Sequence, residues 1–300
     1  MSTLTPADIG FTFGDEMKNL RSILNAVYGY PSTFGLKNVD VYGRSWPLAG
    51  ELGGDHLIFV DFARRYDLDR RIQRARAEGL PEVASNLEAN RGRIGVLVAD
   101  VAGHSMTDAL LAAMLHQAFL VGVLYELEHH GHVTVELFKI LNTRFYQSSS
   151  VTKYLTMIYG EIAEDGTFRF ISAGHPSPLV YSARYGRFVE LDRGSMVSVH
   201  PIGMFPTEGD VDGAVSEAPA AVSPQPRINE LRLLGSGDVL LLYTDGAEDL
   251  TDGALARALE TTVRSVFHLS AAEIVEALHA DLTHGRVSTD DVSLVVIKRR

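Results

Sequence analysis

Four aspartates stand at the ends of apolar runs, where a carboxylate has no packing role. Asp100 closes "IGVLVAD" and Asp245 closes "VLLLYTD"; Asp55 precedes "HLIFVDF", and Asp290, with Asp291, precedes "VSLVVIK". In an antiparallel sheet the end of one strand lies beside the start of its neighbour, so such residues converge on one rim. Carboxylates crowded together repel one another and push their pKa values up unless positive charge sits among them. Two divalent cations balance four such charges. Oxygen donors with room for water suit Mg2+ or Mn2+, whereas zinc wants the His or Cys that these stretches lack. Glycines in "LGGD", "DVAGH" and "TDG" mark backbone that turns sharply or approaches a ligand closely. The plainer alternative is that Asp-Gly after a strand is turn chemistry and nothing more.

The elements that must position these acids are strand-like stretches that come in clusters instead of alternating with helices. They begin near residues 38, 56, 93, 154, 167, 178, 187, 230, 238 and 292, a pattern that predicts largely antiparallel sheets in an α+β chain. Helical periodicity appears over 14–28, 106–129, 133–147, 253–267 and 271–283, and Ser105-Met106-Thr107-Asp108 and Ser270-Ala271-Ala272-Glu273 both match a capping box. Such helices cover sheet faces. Two stretches read as additions: the Arg-rich 63–93, a solvated helical insert of mixed charge, and 206–227, whose Pro, Ala, Gly and acids suit a mobile loop.

With 300 residues and 46% hydrophobic content, the chain has enough apolar material for a large core. Its 27 basic and 38 acidic residues leave a formal charge of -11, which argues against broad binding to nucleic acid or to an anionic membrane. The absence of cysteine removes disulfides, thiolate metal sites and any cysteine nucleophile. The acids at the N-terminus are unlike a signal peptide, so a cytoplasmic location is expected. The uncharged run Ala109–Tyr125 falls short of the roughly 20 residues of a membrane span and reads as a buried helix.

In order along the chain, "GELGGD" (50–55), "VADVAGHS" (98–105), "ISAGHPSPLVY" (171–181), "GSGDVLLLYTDGAEDL" (235–250) and "TDDVSLVVI" (289–297) resemble the motifs of metal-dependent PP2C-type phosphatases, in the bacterial SpoIIE/RsbU-like branch. The resemblance covers about residues 36–298 and implies a PP2C-like α-β-β-α sandwich over 36–300, preceded by an N-terminal helical segment over 1–35. It implies two Mn2+ or Mg2+ ions held by Asp55, Asp100, Asp245 and Asp290 with the backbone carbonyl of Val101, and places Asp291 beside the ligands instead of among them. The implied chemistry is in-line attack on phosphorus by a water that the metals would activate, with no protein nucleophile. The implied activity is serine/threonine phosphoprotein phosphatase, with a phosphorylated STAS-type anti-sigma antagonist as substrate in a partner-switching pathway. A regulatory partner protein is implied as well. The alternative is a catalytically weak phosphatase-fold binding module that regulates a partner.

This sequence departs from the branch in two places. Ile58 stands where a second acid usually follows the GGD aspartate, and Asp61 is roughly 20 Å further along an extended strand, too far to serve the same metal. Ser105 stands where glycine is usual. His104 is a candidate acid for the leaving oxygen, against a structural role at a helix start. His175 fits a turn-shaping role, "HHGH" at 129–132 a solvated connection, and "GSGD" lacks the order of a nucleophile elbow. Met17, Leu20, Ile23, Leu24 and Val27 form one apolar stripe at helical spacing, which would pack on the domain or pair with a second copy in a homodimer.

Overall fold

The computed structural model describes residues 34, 36–48, 53–103, 106–148, 153–192, 194, 196–207, 222–233 and 235–300, with Lys18 and Ser22 besides. The expectations for the 14–28 helix and its stripe, for His104 and Ser105, and for residues 208–221 lie outside them. Among the described residues, eleven strands make two sheets: β1 (Val39–Trp46), β2 (His56–Asp61), β3 (Arg93–Val101), β4 (Leu155–Ala163), β5 (Thr167–Ala173), β6 (Leu179–Ser182), β7 (Arg187–Val189), β8 (Ser198–Val199), β9 (Asn229–Arg232), β10 (Val239–Tyr243) and β11 (Val292–Arg299). One sheet has the order β1-β11-β10-β6-β7, the other β2-β3-β4-β5-β8, with β9 added beside β5. All pairings are antiparallel except β5 with β8.

The strands read as unbroken apolar runs because both of their faces are covered. In β2 and β3, Leu57, Phe59, Ile94, Val96 and Val98 point between the sheets, where they meet Val41, Leu240, Leu242, Val295 and Ile297. The alternate residues Ile58, Val60, Leu97, Ala99 and Val101 face outward and pack under helices through Leu115, Phe119 and Leu127. On the far side, Leu241, Tyr243, Leu294 and Val296 lie under Leu259, Val263, Ile274 and Leu278 of the Leu255–Val266 and Ala271–Thr283 helices. The result is four layers, helix, sheet, sheet, helix, with each buried Leu or Ile stabilising by about 1.5–3 kcal/mol.

Several expected boundaries hold. The Met106–His129, Val135–Ser148, Leu255–Val266 and Ala271–Thr283 helices lie where the periodicity placed them, and Ser270 with Glu273 forms the expected capping box. Thr107–His129 is long and apolar enough to cross a membrane, yet Ala112, Leu115, Phe119, Val123 and Leu127 bury one side of it against the six-stranded sheet. The 63–93 stretch is helical, as expected, over Phe62–Arg65, Leu68–Ala77 and Pro81–Ala89. It is more than a solvated addition, however: Phe62, Leu68, Ile72 and Leu87 join the core, while Arg74 and Glu78 pair on the outer face. Mixed charge marked only its outer side. The 206–227 stretch is fastened at both roots, where Thr207 bridges Ser223 and both are buried.

Candidate functional site

The alternation of side chains explains how aspartates reach one place from two sheets. In β3 the row that faces between the sheets is Ile94, Val96, Val98, and its next member is Asp100. One step before β2, Asp55 continues the row of Leu57 and Phe59; in the other sheet, Thr244 follows Leu240 and Leu242, and Ser293 and Asp291 precede Val295 and Ile297. Each row runs out of apolar residues at the same end of the sandwich. The register agrees, with His56 opposite Ala99, Tyr243 opposite Leu294 and Trp46 opposite Val292. Polar side chains from both sheets therefore fill the end of the seam.

Asp55 is buried, and its Oδ2 accepts a hydrogen bond from Thr244 Oγ1 at 2.7 Å, a link from one sheet to the other. Thr244 Oγ1 in turn accepts from the Ser293 backbone N–H at 2.9 Å. Burial and then the Asp100 charge hold the Asp55 carboxyl well above the usual carboxylate range. Asp100 is pushed up to about 7 by burial, and by Asp245, Asp290, Asp291 and Asp108 after it. Asp245 opens the short Asp245–Asp249 helix and is more exposed; its pKa is raised by partial burial of the carboxyl and by Asp290. Asp290 accepts from the Asp291 N–H at 2.8 Å.

Asp291 has different work. Its Oδ1 accepts from the Leu48 N–H at 2.6 Å and its Oδ2 from the Gly54 N–H at 2.6 Å and the Asp55 N–H at 3.4 Å, so it shapes the Gly-Gly-Asp loop from below. Gly54 needs to be glycine because a Cβ there would meet the Val101 carbonyl oxygen at 2.6 Å and strike that of Gly103. Gly246 likewise lies directly against the Asp291 carbonyl. These two glycines are where backbone from separate motifs comes together.

The four expected ligand aspartates thus share one end of the sandwich and act on one another electrostatically. Among the described residues, no three acid or histidine side chains are arranged as they stand to share one metal ion. The departure at Ile58 has a plain cause: it is on the outward row of β2, buried in the core beneath the helices and facing away from the seam. Asp61 caps the Phe62–Arg65 helix by accepting from Arg64 N at 3.1 Å. His175 is buried with Nδ1 3.1 Å from Thr156 Oγ1, and Thr156 sits opposite Asp100 in the register, so this turn is tied to the rim. Of the expected solvated connection at 129–132, His129 and His130 are exposed, but Gly131 is buried and its carbonyl accepts from Asn90 Nδ2 at 2.8 Å.

Several residues around the site were not anticipated. Thr244 and Ser293 were hidden inside apolar strands, although their place in the alternation gives them away. His56, next to Asp55, has its Nε2 2.8 Å from His116 Nδ1 beneath the rim. Burial, and then His116, lower His56 to about 3, and burial followed by Arg65 lowers His116 to about 4, so both rings are neutral near pH 7. Lys153 and Asp108 form an ion pair against the Ala102-Gly103 turn.

Two facing, mainly antiparallel sheets flanked by helices, with an acid-lined end, define the PP2C-like phosphatase fold. Within that class the chain belongs to the SpoIIE family: the family model described as Stage II sporulation protein E (SpoIIE) matches residues 90–300. β1 and β2 lie upstream of the match yet complete the two sheets. The fold is similar to that of the SiaA PP2C domain of Pseudomonas aeruginosa, with TM-score 0.62 and 16% identity over 96% of this chain and 97% of that one. It is also similar to the RsbU and RsbW domains of a Mycobacterium tuberculosis protein, with TM-score 0.58 and 19% identity over 91% of this chain and 64% of that one. A third similar structure holds the PP2C domain and a regulatory fragment of SpoIIE from Bacillus subtilis, with TM-score 0.56 and 15% identity over 89% of this chain and 65% of that one. The chain spans just under two thirds of the length of these last two.

Proposed function

We propose that this chain is a metal-dependent serine/threonine phosphoprotein phosphatase whose domain runs from about residue 36 to residue 300. The observation that carries the reading is the acid-lined rim itself, where burial and then Asp245, Asp290, Asp291 and Asp108 push Asp100 up to about 7. Such a cluster is costly by itself and suits hard divalent cations. Asp55, Asp100, Asp245 and Asp290, with the Val101 carbonyl, would hold Mn2+ or Mg2+, and all are oxygen donors, as those ions prefer. Two such ions, when bound, supply a water of lowered pKa and neutralise phosphoryl oxygens.

The chain's own residues do the positioning. Thr244 orients the Asp55 carboxylate across the sandwich. Asp291 sets the loop that carries Asp55, and Gly54 allows the Val101 carbonyl to come within contact distance of that loop. His175 and Thr156 brace the strand beside Asp100. Neither serine nor cysteine is needed as a nucleophile.

The substrate we propose is a phosphoserine or phosphothreonine on a STAS-type anti-sigma antagonist, in a cytoplasmic partner-switching pathway with a regulatory partner protein. A similar structure carries an RsbU and an RsbW domain, which supports that setting. The second reading, a catalytically weak module, rests on Ile58 standing in the core where the branch usually places an acid. Purified protein should release phosphate from phosphorylated STAS proteins with Mn2+ and stop with excess EDTA. Full activity in EDTA would sink the metal reading, and binding of the phosphoprotein without turnover would favour the second.

A further inference from the structure

We infer that Lys153 is a positioning residue that fixes the Asp100–Gly103 turn, and with it the proposed metal-ligand geometry, through its ion pair with the buried Asp108 carboxylate and its bond to the Ala102 carbonyl. The inference rests on reading the aspartate rim as a metal site. Lys153 stands just before β4, and its Nζ pairs with Asp108, a side chain only 1% exposed in the first turn of the Met106–His129 helix. The same Nζ donates to Ala102 O at 3.3 Å, and the Ala102 N–H donates to Tyr154 O at 3.3 Å. Both polar backbone groups of Ala102 are thus held by residues 153 and 154.

The next residue shows how closely the turn is moulded on the pair. Gly103 has φ 121°, and a Cβ there would lie 3.2 Å from Lys153 Nζ and clash with the Asp108 carboxylate. From the opposite side, the Val101 N–H donates to Gly54 O at 3.4 Å, and Val101 O faces the Gly54 Cα closely enough to exclude a side chain. The segment that carries Asp100 and the Val101 carbonyl is therefore gripped between the Gly-Gly-Asp loop and the Lys153–Asp108 pair.

The chemistry requires a lysine-like donor. A cationic side chain with several N–H groups serves a carboxylate and a carbonyl together. Removing it takes a cation from the buried Asp108 carboxylate and a donor from the Ala102 carbonyl, and the turn relaxes. Residues that support metal ligands from behind typically change metal affinity by about 10- to 100-fold when lost.

The test is Mn2+ binding by titration calorimetry, with melting in EDTA as the control for folding. Lys153→Gln and the charge-balanced double variant Asp108→Asn/Lys153→Gln are expected to bind Mn2+ about 10- to 100-fold more weakly, while Lys153→Arg stays within a few-fold of wild type. The double variant carries the test if Lys153→Gln alone fails to fold. A folded double variant with wild-type Mn2+ affinity overturns the inference alone. Wild-type protein that binds no Mn2+ overturns both the inference and the metal reading beneath it.

Discussion

Asp100 is the residue where the consequences are sharpest. Its folded pKa of about 7 lies above the ordinary 3.8, so the folded state holds this proton more tightly than the unfolded chain. The favourable contribution is complete below about pH 4 and is lost as pH rises to about 7. Melting in EDTA should therefore show stability falling across that window, with a shallower fall in Asp100→Asn; an unchanged slope would remove Asp100 as its source. For catalysis the same substitution acts the other way. Asp100→Asn and Asp245→Asn should each lower turnover by about 100-fold or more, since loss of a metal ligand should exceed the 10- to 100-fold typical of its supporting partners. Both should still fold. Near-normal phosphate release from either would remove that residue from the ligand set.

Among the elements, the loops between strands decide whether the aspartates meet. Asp291 gathers the Leu48, Gly54 and Asp55 N–H groups, so it acts on Asp55 through the loop. Asp291→Ala leaves buried donors unpaired, at about 1–3 kcal/mol each, and urea unfolding should show at least one such loss together with weaker Mn2+ binding. Wild-type stability would show that the loop holds itself. The loop across 206–227 is fixed at its first root by Asn142, which donates to Phe205 O at 2.9 Å and to Thr207 Oγ1 at 2.8 Å and accepts from Gly203 N at 2.8 Å, and Thr207 bridges Ser223 at the other. In the branch that the chain resembles, this position corresponds to a flap beside the active site, and we propose that role here. Shortening it between those roots should change the rate on a phosphoprotein more than on a small aryl phosphate, and equal effects on both would contradict a role in substrate choice.

At the scale of the whole molecule, the proposed metal binding at the negative end of the sandwich would be coupled to stability. Anything that binds only the folded state stabilises it by mass action, by about 2.7 kcal/mol at a hundred times its Kd. Mn2+ should raise the melting temperature of the wild type and have little effect on Asp100→Asn, measured at one protein concentration. The apolar stripe of Met17, Leu20, Ile23, Leu24 and Val27 carries a separate expectation, since it must be covered by this domain or by a second copy. We expect a homodimer that weakens in the Leu20→Glu/Leu24→Glu variant. A wild type that sediments as a monomer at tens of micromolar would refute it.

What the sequence determined by itself follows from local rules. Apolar runs such as "VLLLYT" had to be buried strands, the Ser270–Glu273 box had to start a helix, and an aspartate at the end of each run had to emerge where the core stops. The ordered motifs carried the family. Tertiary structure decided what depends on two distant segments meeting. Thr244 became a partner of Asp55 only because the sheets face each other, and Ile58 is a core residue because its row points at helices. The Arg-rich stretch buries Phe62 and Leu87 because its charges occupy one face only, which a count of charges does not reveal. Lys153 and Asp108 lie 45 residues apart, and no periodicity links them. Their pairing exists because the Met106–His129 helix starts where β4 begins, a proximity set by packing across the whole domain.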